Sequence, residues 1–231
     1  MGLLNWNKKI GIGQRDIHNH LLPGVDDGFR HAQDSLAAIK RMAEAGCKQI
    51  VFTPHMNPDV YPDQTEAHIR EVYNEFKTMI PAEWGVDARL AAEYMVVKDF
   101  ETRACSKDLL TYSDGSILIE MSYYFRSENL EEAIFALNTE GHRPVLAHPE
   151  RYLYMADSLH DFDRLKDMGC RFQMNRLSLS GIYGGESLKI MDYLLSRGMY
   201  DFMATDLHTL SQLDSLSELS VRRKVAALLP M

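Results

Sequence analysis

Residues 129–150, NLEEAIFALNTEGHRPVLAHPE, contain the unit whose reading decides the fold. Asn129–Thr139 reads as a helix that ends at Gly141 and leads into RPVLAHPE, a short apolar strand closing on His148. The same alternation extends in both directions. Upstream, a first apolar run precedes Asp16-Ile17-His18, and Asp34–Ala45 follows with Leu36, Ile39, Met42 and Ala43 at helical spacing before Gly46. KQIVFTPH (48–55) is a strand closed by Thr53-Pro54, followed by a helix-like stretch from Gln64 to Met79. VDARLAAE (86–93) and SILIEM (116–121) are the third and fourth strands. Downstream, a helix over Phe162–Met168 stops at Gly169 before CRFQMN (170–175), and Ser187–Arg197, capped by Gly198, leads into DFMATDLH (201–208). About seven β/α units in strict alternation predict a parallel sheet, either open and doubly wound or closed into a barrel.

The residues at the strand ends favour the barrel. Asp16, His18 and His20 follow the first run, with Asp26 and Asp27 just beyond. His55, Glu93, Glu120 and His148 end the second to fifth strands, and Asp206 and His208 the last. The sixth ends in Asn175 and Arg176, without a metal-type ligand. In a β/α barrel all C-terminal strand ends face one mouth, so residues spread along the whole chain converge on one site. Alternation also puts His18 and His20 on one face of their strand. Any one of these residues has a bland explanation: HxH pairs arise by chance, and a lone Asp such as Asp27 in VDDG is commonly a turn residue. Helix capping, however, favours Ser, Thr and Asn as much as Asp, so it does not account for six of seven strand ends carrying His, Asp or Glu. Imidazole mixed with carboxylate and no thiolate suits zinc, manganese or iron, and about nine ligands imply two or three divalent ions.

The 231 residues, 45% of them hydrophobic, suffice for one sizeable core; no repeat or linker interrupts them, and 1–231 reads as a single domain. The formal charge of −8 argues against a nucleic-acid partner. No apolar run has the length of a membrane helix, so the chain is not expected to be membrane-embedded. The start, MGLLNWNKK, has no signal-peptide core, and Trp6 stands where a myristoylation signal places Ser or Thr. Cys47, Cys105 and Cys170 are widely spaced and form no CxxC, which fits reduced thiols and a cytoplasmic location.

DIHNHLLPGVDDG (16–28), IVFTPH (50–55), AAEY (91–94), ILIEM (117–121), LAHPERY (146–152) and ATDLH (204–208), in this order, resemble the polymerase-and-histidinol-phosphatase superfamily. Within it they are similar to the bacterial tyrosine phosphatases of capsule and exopolysaccharide operons, from about Asp16 to His208. The resemblance implies a distorted (β/α)7 barrel with three metal ions, often manganese or iron, at its mouth. It also implies hydrolysis of phosphotyrosine on the tail of a membrane-associated polysaccharide tyrosine kinase. By the same resemblance His18, His20, Asp27, His55, Glu93, Glu120, His148, Asp206 and His208 are the metal ligands, with Glu93 bridging two ions. Asp16 would orient a ligand histidine and Arg151 would contact phosphate.

The chain departs from its relatives after Asp206-Leu207-His208: some carry a further arginine there, whereas TLSQLDSL (209–216) has no basic residue. Arg126, after the fourth strand, would supply a second positive charge or else be a solvated surface residue. Asp26 is the candidate acid for the leaving group, and Tyr123, Tyr124, Tyr152 and Tyr154 are a candidate aromatic rim. CRFQMNR (170–176) satisfies the C-x5-R phosphatase pattern, but it lacks glycine and alternates like a strand, so Cys170 reads as core. The alternatives to a protein phosphatase are a small-molecule phosphomonoesterase of histidinol-phosphatase type and a metal-binding regulatory protein without turnover.

Overall fold

The computed structural model describes residues 7–230; side chains of Asn7, Arg223 and Lys224 are not among the features described. Met1–Trp6, where the leader and myristoylation readings fall, and Met231 lie outside them.

Strands β2 (Arg15–Asp16), β3 (Gln49–Phe52) and β5 (Asp87–Leu90) pair in parallel in the order β2-β3-β5. Strands β4 (His55–Met56), β6 (Glu93–Met95), β7 (Ser116–Glu120), β8 (Arg143–Ala147), β9 (Arg171–Asn175) and β10 (Phe202–Ala204) form a second parallel sheet, ordered β10-β9-β8-β7-β6-β4. The two sheets are one surface. Thr53-Pro54 separates β3 from β4, because proline has no N–H to donate to the ladder. Across this break Ala91 N donates to Phe52 O at 2.9 Å and Glu93 N to Pro54 O at 3.1 Å, so the second and third strands stay paired. The ring closes where Asp206 N donates to His18 O at 2.8 Å and His20 N to Leu207 O at 2.9 Å, around a parallel bridge between Asn19 and Leu207. The result is the distorted barrel of seven parallel strands that the resemblance implied, and of the two arrangements left open by the alternation it is the closed one, each strand being β2, β3/β4, β5/β6, β7, β8, β9 or β10.

The helices follow the apolar spacing. Helix α1 (Ala32–Glu44) buries Ser35, Ala38, Ile39 and Met42, and α2 (Glu66–Lys77) buries Ile69, Tyr73 and Phe76. The side chain of Thr65 caps α2 by accepting from His68 N at 3.2 Å. After a short α3 (Phe100–Ala104), α4 (Leu130–Thr139), α5 (His160–Asp167) and α6 (Gly185–Ser196) lie close to the ranges read from sequence. Helix α7 (Leu210–Glu218) opens with a capping box between Thr209 and Gln212. The chain ends then pair antiparallel, β1 (Asn7–Lys9) with β11 (Ser220–Arg222), before the short α8 (Arg223–Ala226). The sequence reading contained neither α3, α7 nor the β1–β11 pair. These are short elements whose order depends on neighbours distant in the chain rather than on a long periodic pattern. Leu118, Val145 and Ala147 fill the barrel interior, with Tyr112 and Phe202 packed against them, and the main core lies between the strands and the helices.

Candidate metal centre

The first strand delivers His18 and His20 fully buried, and the VDDG turn folds back over them. That turn requires glycine at Gly28, where a Cβ would come within 2.2 Å of His20 O. The fifth and seventh strands end in unusual backbone: His148 (φ 32) and Asp206 (φ 51) occupy the left-handed region, where most non-glycine residues are strained. These departures turn the two side chains into the mouth.

Four overlapping groups of donor atoms result, each with its atoms within 4.8 Å of one another: His20/Asp27/His55/His208, His18/His20/Asp206, His18/Glu93/His148 and His55/Glu93/Glu120. Glu93 is central. Its Oε2 lies 3.2 Å from His18 Nε2, 3.4 Å from His20 Nε2 and 3.1 Å from His55 Nδ1, and its Oε1 lies 3.1 Å from His148 Nε2. Asp206 Oδ1 stands 3.3 Å from His18 Nε2 and 3.4 Å from His20 Nε2, while Glu120 Oε1 is 2.8 Å from His55 Nδ1. At the outer edge Asp27 Oδ1 is 3.4 Å from His55 Nε2 and 3.6 Å from His208 Nε2. An ion with bonds of about 2.0–2.2 Å sets neighbouring donors roughly 3.0–3.5 Å apart, which matches most of these separations. Glu93 Oε2, Glu120 Oε1 and His55 Nδ1 are moreover buried without a hydrogen-bond partner, although they face one another. Buried polar atoms in that state call for a cation, so the donor set fits divalent metal.

The carboxylates and imidazoles of the cluster shift one another. Burial opposes ionisation of Glu93 and Asp206, but the surrounding histidines, His18 foremost, hold both carboxyls well below the usual range. Hydrogen bonding from His55 holds Asp27 at about 2. Burial pushes His208 down to about 4, whereas the facing carboxylates, despite burial, raise His18, His20 and His55.

Supporting contacts orient the rings, and here the structure corrects the sequence reading. His18 Nδ1 lies 2.6 Å from Gln173 Oε1, and Gln173 Nε2 donates to Met174 O at 2.6 Å. The amide oxygen therefore accepts from Nδ1–H and leaves Nε2 free toward Glu93 and Asp206. Gln173, on the strand read as having no metal-type ligand, does what was expected of Asp16. Asp16 instead touches no histidine: it accepts from Thr205 N at 2.9 Å, Thr205 Oγ1 at 2.8 Å and Asn19 Nδ2 at 3.0 Å, closing the first strand on the last. Gln173 was discoverable as a lone amide in the otherwise apolar FQM. Asp26, the candidate acid, is placed against His20. Its Oδ2 lies 2.8 Å from His20 Nδ1 and accepts from His55 N, and its Oδ1 accepts from Gly28 N. Despite burial, His20 beside it keeps its carboxyl below the usual range.

Arg151 sits at the edge of the cluster. Its Nη1 donates to Asp206 Oδ2 at 2.7 Å, an oxygen that also accepts from Asn175 Nδ2 at 2.8 Å. The guanidinium is sandwiched between the rings of Tyr123 at 4.3 Å and Tyr183 at 4.5 Å. Arg126 is not part of this group: its Nη1 donates to Asp161 at 2.7 Å and its Nη2 to Glu131 at 3.1 Å, so two carboxylates already occupy it. Of the four tyrosines read as a rim, Tyr123 and Tyr124 are exposed at the mouth, with Phe125 beside them. Tyr152 is fully buried, its hydroxyl accepting from Met121 N, and Tyr154 donates to Ser122 O. A cavity of about 910 Å³ runs along this side of the mouth, bordered by Val60, Tyr123, Tyr124 and Phe125.

Cys170 and Arg176 do not form a phosphate loop. They stand at opposite ends of strand β9, roughly 20 Å apart at about 3.3 Å per residue, and burial raises the Cys170 thiol to about 12.

Among known proteins, the family model of CpsB/CapC, described as capsular polysaccharide synthesis, matches residues 14–216. Tyrosine-protein phosphatase YwqE of Bacillus subtilis (strain 168) is 29% identical over 195 residues, covering 84% of this chain and 76% of its own length. Tyrosine-protein phosphatase CpsB of Streptococcus pneumoniae is 28% identical over 207 residues, 84% of this chain and 83% of that protein. A crystal structure from work on YwqE of Bacillus subtilis and CpsB of Streptococcus pneumoniae, described as unique metal-dependent tyrosine phosphatases, superposes with a TM-score of 0.77 at 28% identity. It covers 86% of this chain and 81% of the other.

Proposed function

The chain belongs to the CpsB/CapC family of capsular polysaccharide synthesis, and from that premise we propose that it is a metal-dependent protein-tyrosine phosphatase. Its substrate in this reading is phosphotyrosine on a polysaccharide-biosynthesis tyrosine kinase in the cytoplasm. The observation that carries the reading is the convergence of His18, His20, Asp27, His55, Glu93, Glu120, His148, Asp206 and His208 at one barrel mouth, with Arg151 at its edge. We assign these nine as ligands of two or three divalent ions, manganese first, with Glu93 as the bridge.

When bound, such ions supply Lewis acidity, acidifying a water and offsetting phosphoryl charge. The protein's own groups do the rest. Arg151, held flat between Tyr123 and Tyr183, presents its free N–H groups to phosphoryl oxygens and stabilises charge in the transition state. Asp26 and Gln173 hold the His20 and His18 rings in the tautomers that point Nε2 inward. A tyrosyl leaving group, with a parent pKa near ~10, needs less protonation than an alkoxide, so no dedicated carboxylic acid is required. The exposed aromatic edge of the 910 Å³ cavity suits the residues flanking a phosphotyrosine, and favours a peptide over a small metabolite.

The test is phosphate release from a phosphotyrosyl peptide with manganese, and again with a strong chelator. Release that requires metal supports the assignment. Release that survives exhaustive chelation, or turnover of histidinol phosphate alone, overturns it.

A further inference from the structure

Arg176, the arginine of the C-x5-R pattern, has no part in the metal centre, yet it is only 6% exposed. Its Nη1 donates to Gly11 O at 2.7 Å, its buried Nε has no partner, and no carboxylate lies within ion-pairing distance of it among the described residues. Asp16 acts on it through space, but the Asp16 oxygens are taken by Thr205 and Asn19. A buried guanidinium without a bonded counter-charge is costly. The fold nevertheless makes room for it: a Cβ on Gly13 would come within 2.7 Å of Nη2, so a side chain at this position would displace the guanidinium.

Arg176 borders a cavity of about 720 Å³ at the N-terminal end of the barrel, opposite the metal centre, among the first residues of strands β2, β3, β7 and β10. Small-molecule sites span roughly 300–1,000 Å³. One side of the cavity is cationic. Arg15 bonds Gln49 rather than a carboxylate, and Arg89 pairs with Asp87. The other side carries the rings of Tyr112 and Phe202; the acid there, Asp114, is already paired with Arg171. Pro230 forms part of the rim.

We propose that this cavity binds a small organic anion, its charged head on Arg176 and Arg15 and its apolar body against Tyr112 and Phe202. A barrel's N-terminal face ordinarily serves stability, but a purely stabilising arginine would be expected to have a bonded counter-charge. The head group is tetrahedral (phosphate-like) or planar (carboxylate), and guanidinium accepts either.

The experiment uses fluorine NMR on the manganese-loaded protein, titrated with 4-fluorobenzenesulfonate and, separately, 4-fluorobenzoate. Neither is hydrolysable by a phosphatase. Saturable binding of at least one is expected; which binds more tightly identifies the head group. Arg176→Met should weaken binding at least tenfold, and Arg15→Ala combined with Arg89→Ala should weaken it several-fold. Arg151→Ala, at the opposite face, should leave it unchanged. If Arg176→Met fails to fold, the exposed double variant decides. No saturation by either probe, full binding by the variants that remove the cavity arginines, or loss on Arg151→Ala overturns the proposal. The outcome is independent of phosphatase activity, so it stands or falls apart from the function proposed above.

Discussion

Gln173 Oε1 lies 2.6 Å from His18 Nδ1 across the barrel interior, and this contact from the sixth strand sets the tautomer of a ring on the first. Without it either nitrogen of His18 would be free to carry the proton, and half of that choice would turn N–H toward Glu93 and Asp206 in place of a lone pair.

Replacing Gln173 with Leu should therefore weaken metal binding about 10–100-fold, the usual effect of losing a partner of a ligand histidine. Competition with a chelator of known affinity measures it. Gln173→Glu, which keeps the acceptor, should retain most of the affinity. Equal affinity in the wild type and the Leu variant would remove Gln173 from the site.

Glu93→Ala should cost more than one ion, because its two oxygens reach His18, His20, His55 and His148. Metal analysis of the purified variant should show a larger loss than in Asp27→Ala, whose carboxylate stands at the exposed edge beside His55 and His208. Equal stoichiometry in both variants would contradict a bridging Glu93.

Arg151→Ala should reduce kcat/KM on a phosphotyrosyl peptide about 10²–10³-fold with metal content unchanged, the scale of losing one preorganised charged donor. Tyr183→Phe preserves the stacked face and should be nearly neutral, whereas Tyr183→Leu should lose about 2–30-fold. Steady-state kinetics with metal analysis on the same samples distinguishes this from a damaged cluster.

Removing metal should make stability depend on pH in a defined direction. Burial opposes protonation of His20 and His55, as does the His55 imidazole for His20, but the facing carboxylates raise both well above 6.5. A raised histidine contributes stability that is complete below its unfolded pKa and is lost as pH rises through the folded one. Glu93 and Asp206, depressed below 4.5 and 3.8, contribute in the opposite sense: their stability is present above those values and lost as pH falls. The chelated protein should thus melt highest between about pH 4.5 and 6.5 and weaken toward alkaline pH. The metal-loaded form should hold its Tm there, because ions replace the protons. Parallel melting curves that keep a constant Tm gap from pH 6 to 9 would refute this.

Cys170→Ser should leave kcat unchanged and thiol alkylation should not inhibit, since the buried thiol, at about 12, carries no thiolate at neutral pH. Loss of activity in either experiment would reopen the cysteine pattern.

The sequence by itself carried the strand–helix alternation and the His, Asp and Glu residues at the strand ends from which a barrel with one shared mouth was expected. Alternating apolar runs and helices predict parallel strands, and a His, Asp or Glu at six of seven strand ends has one economical destination, since all those ends share a face. The ranges of α1, α2, α4, α5 and α6 followed from local periodicity, which each segment carries within itself. Only the tertiary structure decided the rest. Gln173 on His18, Asp26 on His20 and Tyr183 on Arg151 are pairings across strands and loops, and Asp16 could be placed on Thr205 only once the ring had closed. Arg126 was drawn away by Asp161 and Glu131, and Arg176 was left buried beside a cavity, for the same reason. A polar side chain's partner is set by which groups the packed chain brings within about 3 Å. That distance belongs to the folded molecule and leaves no periodic trace in the order of its residues.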